Sequence, residues 1–207
     1  GNSGFYAQDR ASITAPKLES IQKAFLRLRN QGSMTLGTEV TRLTADEVRG
    51  EIVGRSTLTT SEIAVNTNST LLGGGVLTGS VVNSGLIQIP NPLEPLKVSG
   101  NFRQTVEGSL EFSLSKALPP SGHVQVEVQG NAVFGGRLVV NRSPDINGRQ
   151  GDSYRLVTFA SGEGGFTDFN SFSAGAGLQF TPNYGPTHFA FDVTVPGPFF
   201  GIDFVLA

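Results

Sequence analysis

Hydrophobic positions in this chain alternate with polar ones in short runs, and Gly, Asn and Pro cut the runs apart. Between residues 76 and 140 the pattern is clearest, in GVLTGSVVNSGLIQI, LKVSGNFRQTVEGSLEFSLS and VQVEVQGNAVFGGRLVV. Alternation with a period of two predicts strands that bury one face. Two of these segments repeat each other. Val98, Gly100 and Asn101 recur thirty positions on as Val128, Gly130 and Asn131, and each G-N is followed by G-x-L, at 108–110 and 136–138. Self-similarity at a period of roughly 20 to 50 residues is the signature of stacked coils.

Towards the N-terminus the pattern reads differently. Residues 1–13 form an extended arm that Phe5, Tyr6 and Ile13 could anchor. Leu18, Ile21, Phe25 and Leu28 then fall three, four and three apart, with Thr14 placed to cap, Pro16 in a first turn, and Asn30 and Gly32 as stops. That spacing predicts an amphipathic helix covering the open end of a β domain, with Lys17, Glu19, Lys23, Arg27 and Arg29 in solvent. Short β-branched strands follow over 33–65, with a brief helical turn expected at 44–48, where Thr44 caps and Glu47 stands three residues on. Asn66, Asn68, Asn83, Asn101 and Asn131 edge the apolar segments. They are expected at coil corners, in left-handed backbone and bonded to neighbouring turns.

The proline-rich PNPLEP at 90–95 and LPPSG at 118–122 read as loops leaving the stack. Beyond Val140 come turn signals, the strand YRLVTF, Phe166 and Phe169, a strand at 178–180, and an alternating strand with Phe189, Phe191, Val193 and Val195 on one face. After PGP, FGIDFVLA alternates again through Phe200, Ile202, Phe204 and Leu206. The division expected is an arm and capping helix over 1–32, solenoid coils over 33–140 and a C-terminal antiparallel β region over 141–207. The fold class is all-β, a right-handed parallel β-helix, with a β-sandwich or jelly roll as the alternative for so many short strands.

Composition narrows the function classes. The 207 residues suffice for one large β domain with a real core. Charged residues make up only 15% and the net charge is -2, so there is no basic field for a phosphate backbone and no nucleic-acid partner is expected. No apolar run reaches the roughly 20 residues of a membrane span. Cysteine is absent, Met occurs once and Trp not at all, while Thr, Ser, Asn and Gly abound, a balance similar to that of exported bacterial surface proteins. The chain starts at Gly1 without an initiator Met, as a processed protein or an excised fragment would.

The order LKVSGNFRQTVEGSLEF, NAVFGGRLVV, GDSYRLVTFASGEGGF and FTPNY with an alternating strand after it resembles the C-terminal coils of right-handed β-helical passenger domains of bacterial autotransporters and related secreted surface proteins. The likeness covers roughly residues 70–195. It implies the β-helix and a secreted or cell-surface location, while activities in that family vary with loops and appended domains. The translocator barrel of an autotransporter is not among these residues.

Chemistry-bearing residues are sparse. His123 and His188 are the two histidines, and no H-x-x-H or H-E-x-x-H spacing accompanies them. No G-x-S-x-G elbow supports a serine nucleophile, and the glycines at 73–75 have no phosphate-loop context. Asp145, Asn147 and Asp152 crowd oxygen ligands into eight residues and form a weak calcium candidate, against an ordinary turn whose side chains bond their own backbone. Glu107, Glu111 and Glu127 are the candidates for a carboxylate pair in a carbohydrate-active β-helix. Three tyrosines, Tyr6, Tyr154 and Tyr184, are a thin basis for sugar stacking. The expectation is a non-enzymatic extracellular structural or adhesive protein without cofactors, whose partners are copies of itself and surface glycans. Phe200, Ile202, Phe204 and Leu206 would close the sheet of their own domain, as sequential strands usually do, or serve as an assembly strand donated to a neighbouring copy; a carbohydrate-binding or carbohydrate-active module is the alternative function.

Overall fold

Alternating runs of three to nine residues, separated by turn formers, cannot complete their backbone hydrogen bonds locally, so each must find a partner elsewhere in the chain. In the computed structural model, which describes residues 3–37, 39, 42–91, 93–114, 124–170 and 173–197, every regular element is a strand and no helix occurs among the described residues. The chain winds in successive coils. The first holds β1 (Gly4–Ala7), β2 (Ser12–Ala15) and β3 (Ser20–Gln22), and the second β4 (Phe25–Leu28), β5 (Ser33–Leu36) and β6 (Leu43–Asp46). Next come β7 (Arg49–Ile52) with the long β8 (Thr57–Val65), and β9 (Thr70–Leu72) with the long β10 (Val76–Asn83). The fifth coil holds β11 (Leu86–Ile89), β12 (Leu96–Val98) and β13 (Phe102–Gln104), and the sixth β14 (Ser109–Leu114), β15 (Val126–Val128) and β16 (Asn131–Phe134). The last comprises β17 (Arg137–Arg142), β18 (Ser153–Thr158) and β19 (Ser161–Gly164), before β20 (Asp168–Phe169), β21 (Ser173–Gly175), β22 (Leu178–Tyr184) and β23 (His188–Thr194).

First strands of successive coils stack into one parallel sheet, β1-β4-β7-β9-β11-β14-β17-β20. The others form a second sheet that bends into two columns, because β8 pairs β5 with its first half and β6 with its second, and β10 likewise meets β12 and β13. The result is a solenoid-like stack of parallel strands, unlike a jelly roll, whose strands are antiparallel. The repeat in the sequence is this stacking: Val98 lies beside Val128 and Leu110 beside Leu138.

One side chain in two points inward. Leu26 and Leu28, Ile87 and Ile89, Leu110 and Phe112, and Leu138 and Val140 from the first sheet meet Met34, Leu58, Leu77, Ile63, Val81 and Phe102 from the second, all buried. At the far end the winding stops. β18 pairs β15 in parallel on one side and β23 antiparallel on the other, and β22 and β21 continue that antiparallel sheet. Phe134, Phe166, Phe189, Phe191 and Tyr184 close the end of the core with ring centroids 4.9–6.3 Å apart. Phe189, Phe191 and Val193 face inward as expected, but Ala190 is buried as well, and Val195 lies past the strand with 56% of its surface exposed.

The expected N-terminal helix is absent. Residues 14–30 instead pass through β2, β3 and β4. The stretch F-L-R-L carries two periods at once: Phe25 and Leu28 fit a helical face with Ile21, but Leu26 and Leu28 fit a strand, and it is these two that are buried. The strand wins because β4 has parallel partners on both sides, β1 and β7. Phe25 points outward, where the Arg27 guanidinium lies 5.5 Å from its ring. Residues 44–48 are not a helical turn either. They belong to β6 and a corner at which Glu47 takes a φ of 51° and the Val48 N–H donates to the Ser69 hydroxyl at 3.1 Å.

Phe102 and Phe112 are wholly buried between neighbouring coils. Phe102→Ala or Phe112→Ala is expected to lower unfolding free energy by about 3–5 kcal/mol. Val106→Ala, at 74% exposed, should change it by less than about 0.5 kcal/mol. Urea denaturation of the three variants checks the contrast.

Candidate functional site

Stacked coils bring residues a full turn apart into contact, and the polar contacts concentrate at the corners. At one corner the fully buried Asn83 donates from Nδ2 to Gln104 Oε1 at 3.0 Å and to the Ser109 carbonyl at 3.0 Å, while its Oδ1 accepts from the Gly85 N–H. Gln104 passes the chain on, donating to the carbonyls of Gly135 and Arg137. A second ladder runs along the surface. The Ser80 hydroxyl accepts from the Asn101 N–H, Asn101 Oδ1 from the Asn131 N–H at 2.9 Å, and Asn131 Oδ1 from the Ser161 hydroxyl at 3.0 Å. Asn83, Asn101 and Asn131 thus bond neighbouring turns as expected. None of the five expected asparagines has left-handed backbone, however; that conformation falls to Asp9, Arg10, Lys23, Asn30, Gln31, Glu47, Arg55 and Ala176. These corner networks tie coil to coil.

The three carboxylates that spacing brought under suspicion do not meet. Glu111 projects from β14 in the first sheet, where its Oε1 accepts from Gln88 Nε2 and Asn141 Nδ2, both at 2.7 Å. Glu127 projects from β15 in the second sheet and pairs with Lys97 at 3.1 Å. Glu107 stands exposed at a corner, where the Thr105 hydroxyl donates to its Oε2 at 2.7 Å and holds its carboxyl below the usual glutamate range. For the calcium candidate, the Asp152 carboxylate accepts from the Arg149 N–H at 2.8 Å, closing its own turn, and Asp145 is exposed. Among the described residues no three His, Asp or Glu side chains gather in a way that could hold a metal ion.

Sequence reasoning missed one concavity. Asn91 and residues 93–95 lie against the stack and border an open cleft of about 460 Å3 lined by Arg55, Gly74, Asn91, Glu94 and Lys97 among others. Glu94 reaches across so that its Oε2 accepts from the Gly54 N–H at 3.4 Å. The volume suits a small ligand, but the walls carry charge rather than aromatic rings. Of the tyrosines, Tyr6 lies on β1, Tyr154 is buried and its phenol is pushed up by that burial, and the Tyr184 hydroxyl accepts from the Phe166 N–H. His188 lies on β23 beside Thr158. His123, the 118–122 loop and the strand of Phe200, Ile202, Phe204 and Leu206 lie outside the described residues. Among the described residues no helix is long and apolar enough to cross a membrane.

No protein-family model matches the chain, and no curated protein matches its sequence.

Two outcomes follow from the corners. Asn83→Ala strands the Gly85 N–H in the core and is expected to cost about 1–3 kcal/mol, whereas Asn101→Ala at the exposed ladder should cost under about 1 kcal/mol; thermal and urea unfolding decide it. Because Glu107 titrates below its ordinary range in the folded protein, its contribution to stability is present above that ordinary range and is lost as pH falls through the folded value. Thr105→Val removes the first cause of the shift, so the Glu107 carboxyl, followed by NMR, should titrate at higher pH than in the parent.

Proposed function

We propose that this chain is an extracellular structural or adhesive surface protein, built as a right-handed β-helix, that works by associating through its β surfaces rather than by catalysis. A right-handed winding is the hand taken by nearly all crossovers between parallel strands of one sheet. The observation that carries the reading is the continuous parallel stacking of coils, from β1 to β20, in which each coil serves as the template for the next. A template of that kind ends in strands with one unpaired edge, and such edges recruit further strands. Composition and the likeness to secreted passenger domains support a place outside a bacterial cell. Its partners on this reading are copies of itself and surface glycans. The dispersal of Glu107, Glu111 and Glu127 over different faces gives a carbohydrate-active alternative no particular support.

Phe200, Ile202, Phe204 and Leu206 alternate in a short apolar segment behind PGP, and on this reading they form a strand donated to a neighbouring copy. Light scattering and negative-stain imaging of the whole chain and of a version ending at Val195 test it. Assemblies larger than a dimer are expected from the whole chain and should vanish on truncation. Equal mass for the two versions would sink the donated strand.

A further inference from the structure

On the outer side of the first sheet lies a second cleft, of about 380 Å3, bordered by the corner that carries Glu47 and by the rungs of β7, β9 and β11. Leu72 and Leu86, on adjacent rungs, line it and stay half-buried, and its polar groups include Arg49, Asn68, Thr70 and Gln88. Arg49 is exposed, and its guanidinium makes no ion pair or hydrogen bond among the described residues.

The charges around this cleft do not balance. Over β1, β4, β7, β9 and β11, together with Arg29 just past β4, the ionised side chains are Arg27, Arg29, Arg49 and Glu51. Two of these cations already hold Glu51: Arg29 donates to it from Nε and Nη2 at 2.8 and 2.7 Å, and Arg27 Nε lies 3.1 Å from it. At the flanking corner Lys23 and Glu47 pair at 3.7 Å and cancel. Three guanidiniums therefore share one carboxylate, in a chain whose net charge is -2. The patch ends at β14, where Glu111 accepts from Gln88 and Asn141.

We infer that this face binds a glycan whose rings carry carboxylates, a uronate polymer. The inference rests on the reading of attachment to surface glycans, and it names the glycan and the face that takes it. A guanidinium is planar and presents paired donors that fit the two oxygens of a carboxylate. Arg49 has that fork free, while Arg27 and Arg29, fixed by Glu51, add positive field beside it. The leucines offer an aliphatic surface to the carbon faces of the sugar rings, and Asn68 and Thr70 offer an amide and a hydroxyl to their hydroxyl groups. Among the described residues no aromatic ring lines the cleft, so a neutral sugar has no platform on which to stack. Charge then selects the ligand. One uronate on an exposed arginine is held weakly and is screened by salt; a polymer that repeats the carboxylate on ring after ring keeps the local concentration high.

Calorimetric titration of the whole chain at low salt with polygalacturonate, dextran, dextran sulfate and phosphatidylglycerol vesicles tests it. Polygalacturonate is expected to bind most tightly. Arg49→Gln should weaken that binding about tenfold. Arg49→Lys keeps the charge without the fork and should weaken it less. Arg42→Gln removes the same charge beside Glu62 of the second sheet and should leave binding unchanged. Circular dichroism checks that the variants keep the parent's melting. Equal losses in Arg49→Gln and Arg42→Gln, or dextran sulfate bound as tightly as polygalacturonate, would reduce the contact to bulk charge and overturn the site. Vesicles bound as tightly, with the same dependence on Arg49, would overturn the glycan and assign the patch to lipid phosphate. Dextran bound without any response to Arg49→Gln would overturn this face yet leave glycan attachment standing, and binding of none of the four would overturn both.

Discussion

A strand in a parallel stack cannot be satisfied by its neighbour in sequence; its partner is the equivalent strand one coil away. Everything else in this molecule follows from that requirement. Each coil must return the chain to register, so corners are tight, and the backbone runs close enough at some of them to exclude a side chain. A Cβ on Gly79, whose φ is 143°, would lie 1.8 Å from the Thr60 carbonyl oxygen, which is why the bulge between Thr78 and Ser80 is built on glycine. Coil length is free as long as the register is recovered. Asn83 meets Gln104 21 residues on, while Asn101 meets Asn131 30 residues on.

The same requirement makes any end of such a stack its energetically exposed part. Within the stack every strand has two partners and its inward side chain is sandwiched between layers. At the last coil the chain solves the problem by reversing: an antiparallel strand can pair where no further parallel one exists, and the aromatic cluster of Phe134, Phe166 and Phe189 fills the core's end. In the first described coil Phe5, Ile13 and Leu18 pack against the core and are half-buried.

Legibility followed the stacking too. The 98–101 and 128–131 repeat was readable because two successive coils have corners built alike, with Asn101 and Asn131 in equivalent places on one hydrogen-bond ladder. The earlier coils share no such letters. Their left-handed corners are held by Arg10, Lys23, Gln31 and Glu47 as well as by Asp9 and Asn30; the four long side chains carry no turn signal, and Asn30 behind F-L-R-L stops a helix as readily as it turns a strand. The expected strands beyond residue 33 and the antiparallel C-terminal region needed only local alternation. The contacts of Glu111 with Gln88 and Asn141, and the cleft beside Glu94, depend on which residues lie one coil away. That offset varies along the chain, so spacing in the sequence does not reveal it.

Side chains on such a stack are repeated rather than gathered. Thr14, Thr35, Thr59 and Thr78 stand beside one another in register on four successive coils, giving β-branched cross-strand pairs that stabilise the face they form. Arg27 and Arg29 share Glu51 on the first sheet, and Lys97 pairs with Glu127 on the second. Convergence of several groups on one point needs a segment that folds back, and among the described residues 93–95 provide one, with Glu94 anchored to the Gly54 N–H. On the proposed reading of association through β surfaces, side chains spread along faces and edges let the strength of a contact grow with the number of rungs that meet.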